Sequence, residues 1–160
     1  MDPILALSIE TIQRNSKLYE AALDGLGTED LSRAPGSDSN PMIWVAGHLL
    51  FYRATLLKLL GENVEPRWGD VFQRGAKGGP NTRFPELGEV RQEWTAVTDK
   101  LVARLRSLTD EEASAPSPAK FPVEEDSMRA TVGFLTWHEG YHIGQMAYLR
   151  KWLGRPGLVG

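Results

Sequence analysis

Residues Trp137 to Gly154 read WHEGYHIGQMAYLRKWLG. His138, His142, Gln145 or Met146, and Leu149 follow one another at three- and four-residue steps, the spacing of a single helix face. Traced backwards, the same sector takes in Phe134 or Leu135 and Thr131. A helix is therefore expected to begin near Glu125 to Ser127 and to run through Arg150 to Gly154. Gly154-Arg155-Pro156-Gly157 ends it. The chain's last helix thus stacks two imidazoles on its inner side.

Three more helices precede it. The first is expected from about Pro3, in the opening turn, to Asp24, with Ile4, Leu7, Ile12, Leu18, Ala22 and Leu26 as its apolar face. Gly25 and Gly27 stop it. The second follows SNPMIWVAGHLLFYRATLLKLLGE, with Ser39 or Asn40 as cap and Pro41 as first helical residue. Trp44, His48, Phe51 or Tyr52, Thr55 and Leu59 recur there at helical spacing. Its hydrophobicity is nearly all-round, so this helix is central or also meets a partner chain. The third runs from about Glu86 to Leu108, where Leu87, Val90, Trp94, Val97, Leu101 and Leu105 make a clean stripe.

Between the second and third helices lies ENVEPRWGDVFQRGAKGGPNTRFPEL, broken by Pro66, Gly69, Gly75, Gly78-Gly79-Pro80 and Pro85. At about 25 residues it is long for a compact bundle, and such loops tend to be functional or disordered. Trp68, Phe72 and Phe84 have to pack somewhere, which favours a cover over the bundle end. Thr109 to Pro122 is a second linker with room for a small strand or hairpin. Four amphipathic helices in one domain spanning 1–160 point to an all-α fold, a four-helix bundle. The long link allows helices two and three to run parallel.

The bulk numbers agree. A chain of 160 residues is ordinary for one domain. Apolar residues at 41% and charged residues at 24% are a globular balance. A formal charge of −3 lacks the basic surplus of a nucleic-acid protein. The cluster of Arg150, Lys151 and Arg155 suits the negative end of a helix. No segment approaches a membrane span, and the N-terminus has no basic region before its apolar residues, so a cytoplasmic protein is expected. There is no cysteine, so disulfides are excluded and any metal ligands are N or O donors.

The chain has three histidines, His48, His138 and His142, each on an apolar sector of an expected helix. Imidazole is the commonest ligand for Zn, Ni, Fe or Cu. The histidines either form a three-histidine metal site, hold a haem or other ligand, or pack in the core. A three-histidine site keeps a position open for water or substrate, as catalytic zinc does. Bound metal there lowers the pKa of water or holds a thiol as thiolate.

HEGYH also spells the H-E-x-x-H pattern of zinc proteases. No Asp or Glu follows Glu139, and Gln145 and Tyr148 stand where the extended protease pattern has Gly and His. The third ligand must therefore come from upstream, and proteolysis is disfavoured. Glu139 is the candidate catalytic residue, as a base towards metal-bound water. It otherwise accepts a histidine N–H or pairs with a neighbouring helix in solvent. Gln145 either orients an imidazole or a bound molecule, or is an ordinary buried amide. Tyr52 and Tyr141 are further hydrogen-bond candidates. Trp44 and Trp137 wall the site or fill the core. No nucleophile elbow, dinucleotide fingerprint or phosphate-binding loop is present. Lys77 and Arg83 either meet an anionic substrate or face solvent.

NPMIWVAGHLLFYR, WHEGYHIGQMAYLRKWLG and the intervening EPRWGDVFQRG together resemble the DinB-like metalloenzyme superfamily, which includes the YfiT-like proteins and bacterial thiol S-transferases. The resemblance covers nearly the whole chain. It implies a four-helix bundle in up-down-down-up order and a divalent transition metal, Zn or Ni foremost, held by His48, His138 and His142. It also implies a homodimer and, in some relatives, a low-molecular-weight thiol cosubstrate that attacks a small-molecule electrophile. The alternatives it leaves are metal-dependent hydrolysis and a non-catalytic, metal-dependent ligand-binding or stress-related role.

Overall fold

The computed structural model describes residues 2–76 and 82–159. Lys77 and Gly78-Gly79-Pro80 lie outside them. Four long helices carry the structure: α1 (Pro3–Leu23), α3 (Met42–Leu59), α5 (Leu87–Ser107) and α7 (Met128–Trp152). Three short ones sit in the connections: α2 (Thr28–Ser32), α4 (Gly69–Phe72) and α6 (Asp110–Ser114).

Side-chain contacts fix the directions. Arg129 meets Asp2, Asn15 meets Glu139, and Arg150 meets Ala22 and Asp24, so α1 and α7 run parallel. Arg53 reaches Thr98 and Arg104 reaches the Leu60 carbonyl, so α3 and α5 are parallel too. His48 lies against His142 while Tyr52 lies against His138, which makes α3 and α7 antiparallel. Tyr19 stacks on Trp94 and Glu20 pairs with Arg91, so α1 and α5 are also antiparallel. This is the up-down-down-up order, with the long α3–α5 link making the parallel return.

The ends follow local chemistry. Asp2 accepts from the Ile4 and Leu5 amides at the start of α1, and Ser127 accepts from Ala130 at the start of α7. The expected cap of α3 is replaced: Pro41 is itself the capping residue, and neither Ser39 nor Asn40 bonds the first turn. Arg150 and Lys151 stand in the last turn of α7, and Arg150 also donates to the Ala22 and Asp24 carbonyls at the C-terminal end of α1. The Thr109–Pro122 linker holds α6, closed by a reciprocal Thr109–Glu112 capping box, in place of a strand or hairpin.

Every residue of α3 from Met42 to Leu50 is buried, as its all-round hydrophobicity predicts for a central helix. The inner face of α1 differs from expectation. Leu5, Ile9, Ile12, Tyr19 and Ala22 are buried, whereas Ile4 and Leu7 are 44% and 66% exposed. The stripe is rotated because Ser8 and Asn15, polar in sequence, also face inward. Val71 and Phe72 of the long link dock on the side of α3, at Trp44, Gly47 and His48, rather than over the bundle end. Phe72 is fully buried over Gly47, where any Cβ would enter its ring. Phe84 stacks on Phe72 from outside.

At the centre, Arg53 of α3 pairs with Glu139 of α7 through Nε–Oε2 and Nη2–Oε1 contacts of 2.8 and 2.7 Å. Arg53 is 2% exposed and Glu139 is 6% exposed. Removing one member of such a pair costs about 3–5 kcal/mol, while replacing both by apolar groups is often neutral. Arg53→Met should therefore destabilise the protein by about that amount, and Arg53→Met with Glu139→Leu should recover most of it. Urea titrations of the three proteins check this; a double variant as weak as the single one would refute it.

Candidate metal centre

His48 sits mid-way along α3, facing α7, and His138 and His142 occupy successive turns of α7 facing back. Their donor atoms all lie within 4.8 Å of one another, the arrangement of a metal-binding cluster. The Nε2 atoms of His138 and His142 are 3.1 Å apart. Tetrahedral zinc, with bonds of 2.0–2.1 Å, separates its nitrogen ligands by about 3.3 Å, so the two fit one ion.

Hydrogen bonds at the far side of two rings decide which nitrogen is the donor. His48 Nδ1 lies 2.6 Å from the Phe72 carbonyl oxygen. A carbonyl can only accept, so Nδ1 carries the proton and Nε2 presents a lone pair. His142 Nδ1 lies 2.7 Å from Gln145 Oε1, and Gln145 Nε2 donates to the Tyr141 hydroxyl at 3.3 Å, which orients the amide. The same tautomer follows for His142. Gln145 thus takes the imidazole-orienting role among its sequence alternatives. His138 differs: its Nδ1 is buried and without a hydrogen-bond partner among the described residues.

Burial keeps these rings neutral. Desolvation pushes His48 from 6.5 down to about 4, only partly opposed by the Phe72 carbonyl. Desolvation and the neighbouring His142 push His138 to about 4 as well. His142 is lowered by burial, against the Gln145 hydrogen bond. Three neutral imidazoles are the protonation state that metal ligation requires.

Aromatic rings surround the cluster. Trp44 stacks on His48 with centroids 4.5 Å apart and donates its Nε1–H to the Val71 carbonyl. Tyr52 lies 4.8 Å from His48 and 4.9 Å from His138 by ring centroid. Phe134 flanks His138 and touches Phe121 and Trp137, and Tyr141 edges onto His142. Trp137 is mostly exposed, so it belongs to the rim of this aromatic surround rather than to the core. Arg83 is exposed, and Lys77 lies outside the described residues.

Glu139 turns elsewhere. Its carboxylate is held by Arg53 through both oxygens, and Oε1 also accepts from Asn15 Nδ2 at 3.0 Å. Of the three roles open to it from sequence, pairing with a neighbouring helix is the geometry observed, inside the bundle rather than in solvent. Arg53 and Asn15 were not singled out from sequence. The signal available was weak: an Arg as the one Lys, Arg, Asp or Glu between Met42 and Leu57, with no acid nearby on its own helix.

Stability should carry the mark of the depressed histidines. Below pH 6.5 the unfolded chain takes up protons that the folded site refuses until about pH 4. Protonation therefore favours the unfolded chain across that window. The metal-free protein should lose stability as pH falls from about 6.5 to about 4, with no such contribution above 6.5. Unfolding midpoints measured in chelator at pH 7.5, 5.5 and 4.5 test it, with a His48→Leu variant expected to show a shallower fall.

A family model described as the DinB superfamily matches residues 11–146. No curated protein matches the chain. Among solved structures, YfiT from Bacillus subtilis is similar with a TM-score of 0.70 at 14% identity, over 98% of this chain and 91% of that one. That protein is described as a probable metal-dependent hydrolase with an unusual four-helix bundle topology. At that identity the likeness speaks for the fold, and the fold is the one traced above. Matched by the family model over most of its length, this chain belongs to the DinB superfamily.

Proposed function

We propose that the protein is a cytoplasmic metal-dependent thiol S-transferase, with His48, His138 and His142 as ligands of Zn or Ni. The observation that carries the reading is the convergence of three imidazoles, two of them locked with Nε2 unprotonated by the Phe72 carbonyl and Gln145. Bound there, a divalent ion would supply a Lewis acid with an open position that favours a thiolate over a thiol. The chain's own residues do the rest. Phe72 and Gln145 hold the ligand rings, and Tyr52 and Phe134 offer apolar walls to an electrophile. The thiol loses its proton to solvent, its sulfur forms a bond to an electrophilic carbon, and either a carbon–halogen bond breaks to release halide or an epoxide carbon–oxygen bond breaks and the ring oxygen takes a proton from solvent. The chain supplies no thiol of its own, so the nucleophile is a low-molecular-weight cosubstrate.

Metal-dependent hydrolysis is the second reading, favoured by the description of YfiT. It calls for a base, and Glu139 is the candidate from sequence. Both of its oxygens are engaged by Arg53 inside the bundle, which is why thiol transfer is preferred. Elemental analysis of protein purified without a metal-affinity tag should find near-stoichiometric Zn or Ni, lost in His48→Ala. The loaded protein should then convert a bacillithiol- or mycothiol-type thiol and an alkyl halide or epoxide to thioether. No metal uptake would refute the site. Ester or amide hydrolysis without thioether formation would favour the second reading.

We further propose that two copies pair through the outer face of α7. Between Arg129 and Arg150 its exposed positions are Trp137, Gly140, Tyr141, Gly144 and Tyr148, none of them charged. Exposed Ile4 and Leu7 of α1 extend the apolar surface. Two such faces meet without burying a charge. Light scattering should give a dimer mass for the wild type and a monomer for Trp137→Lys; a monomeric wild type would sink the pairing.

A further inference from the structure

Behind the metal cluster, inside the bundle, a cavity of about 10 Å³ is lined by Tyr52, Arg53, Thr136, His138 and Glu139 against a wall of leucines and Ile12. That is close to the smallest space that holds one water molecule, which also needs two to four polar partners. The partners are present. His138 Nδ1 is buried with its hydrogen-bonding capacity unused among the described residues. Glu139 Oε2 accepts one hydrogen bond, from Arg53 Nε, and keeps a lone pair free for another. The Thr136 hydroxyl donates to the Val132 carbonyl at 2.8 Å and can still accept.

His138 is thereby the odd ligand of the three. His48 and His142 each have a direct acceptor on Nδ1; His138 has a water-sized cavity whose other walls include a carboxylate. We propose that an ordered water in this cavity accepts the His138 Nδ1 proton and donates to Glu139, so that Glu139 is a positioning residue for this metal ligand. The Glu of the H-E-x-x-H motif then acts on the far side of the imidazole from the ion. It fixes the tautomer with Nε2 unprotonated and raises the basicity of that nitrogen. Arg53 holds the carboxylate in place. Thr136 supplies the water's third contact.

This inference rests on the three-histidine centre, and its test separates the two. A crystal structure at about 1.5 Å of the metal-free wild type decides the water by itself. Density within about 3.2 Å of both His138 Nδ1 and Glu139 is expected; a dry cavity overturns the proposal whatever the metal result. Zinc affinity is then measured by competition with a chromophoric chelator, at a temperature where circular dichroism shows each protein fully folded. Glu139→Gln should bind zinc about 10–100-fold more weakly, as loss of an outer hydrogen-bond partner does. Its His138 ring should also lose the single Nδ1–H tautomer seen by nitrogen NMR in the wild type. Thr136→Val, which leaves the Arg53–Glu139 pair intact, should give a smaller loss in the same direction. Unchanged affinity and tautomer in both variants would reduce Glu139 to a structural role and overturn the positioning. A wild type that binds no zinc, nickel or other divalent ion would overturn the metal centre and this role of Glu139 with it.

Discussion

One guanidinium holds the four long helices in register. Arg53, on α3, takes Glu139 from α7, the Ser16 hydroxyl and Ile12 carbonyl from α1, and the Thr98 hydroxyl from α5. It also lies over the Trp94 ring at 3.6 Å. A charge this deeply buried is tolerable only when paired and hydrogen-bonded, so the fold must bring all of these groups to one point. The consequence for the site is geometric. Arg53 follows His48 on α3, and Glu139 follows His138 on α7. A slip of α7 by one turn, about 5.4 Å, would strand both charges and part the histidines together. The pair therefore specifies the register in which three imidazoles converge.

The surroundings of the site were unevenly legible. Helix periodicity, the glycine and proline stops and the three histidines could be read directly, because each is a local pattern with a local cause. The Phe72 carbonyl on His48 Nδ1 could not, since any residue at that position offers the same backbone oxygen. Phe72 itself was recognisable as a ring that had to pack. Where it packs depends on Gly47 leaving room on α3, and that is a tertiary fact. The short helices α2, α4 and α6 escaped for a similar reason. At four or five residues they are too brief to show a period. The inner face of α1 was misplaced because Ser8 and Asn15 read as solvent-facing, while Asn15 is turned inward by Glu139. Polar residues that satisfy a buried charge look, in one dimension, like surface.

The same logic explains how the Glu of an H-E-x-x-H sequence comes to pair with Arg53. On a helix the residue after a histidine is turned by about 100°. Which way that sends the carboxylate depends on what lies beside the helix. Here the imidazoles face α3 at His48 while Glu139 faces Arg53, one and a half turns further along the same α3. The motif is satisfied in sequence and its acid is spent inside the bundle.

That placement bears on the charge at the centre. Three neutral imidazoles leave a divalent ion with its full formal charge, and the nearest carboxylate of the motif is already balanced by Arg53. Apolar rings, Trp44, Tyr52 and Phe134, supply most of the remaining surroundings. In so weakly screened a space an uncompensated cation draws an anion strongly. Among the described residues the cluster holds histidines and no carboxylate, so for a bound ion the compensating charge would arrive with the bound molecule. A thiolate brings that charge together with its nucleophilic atom, whereas neutral water must first give up a proton to a base that Glu139, held by Arg53, is badly placed to be. On the proposed reading, the electrostatics of the bundle interior would bias a metal bound at the three histidines towards an anionic nucleophile from solution.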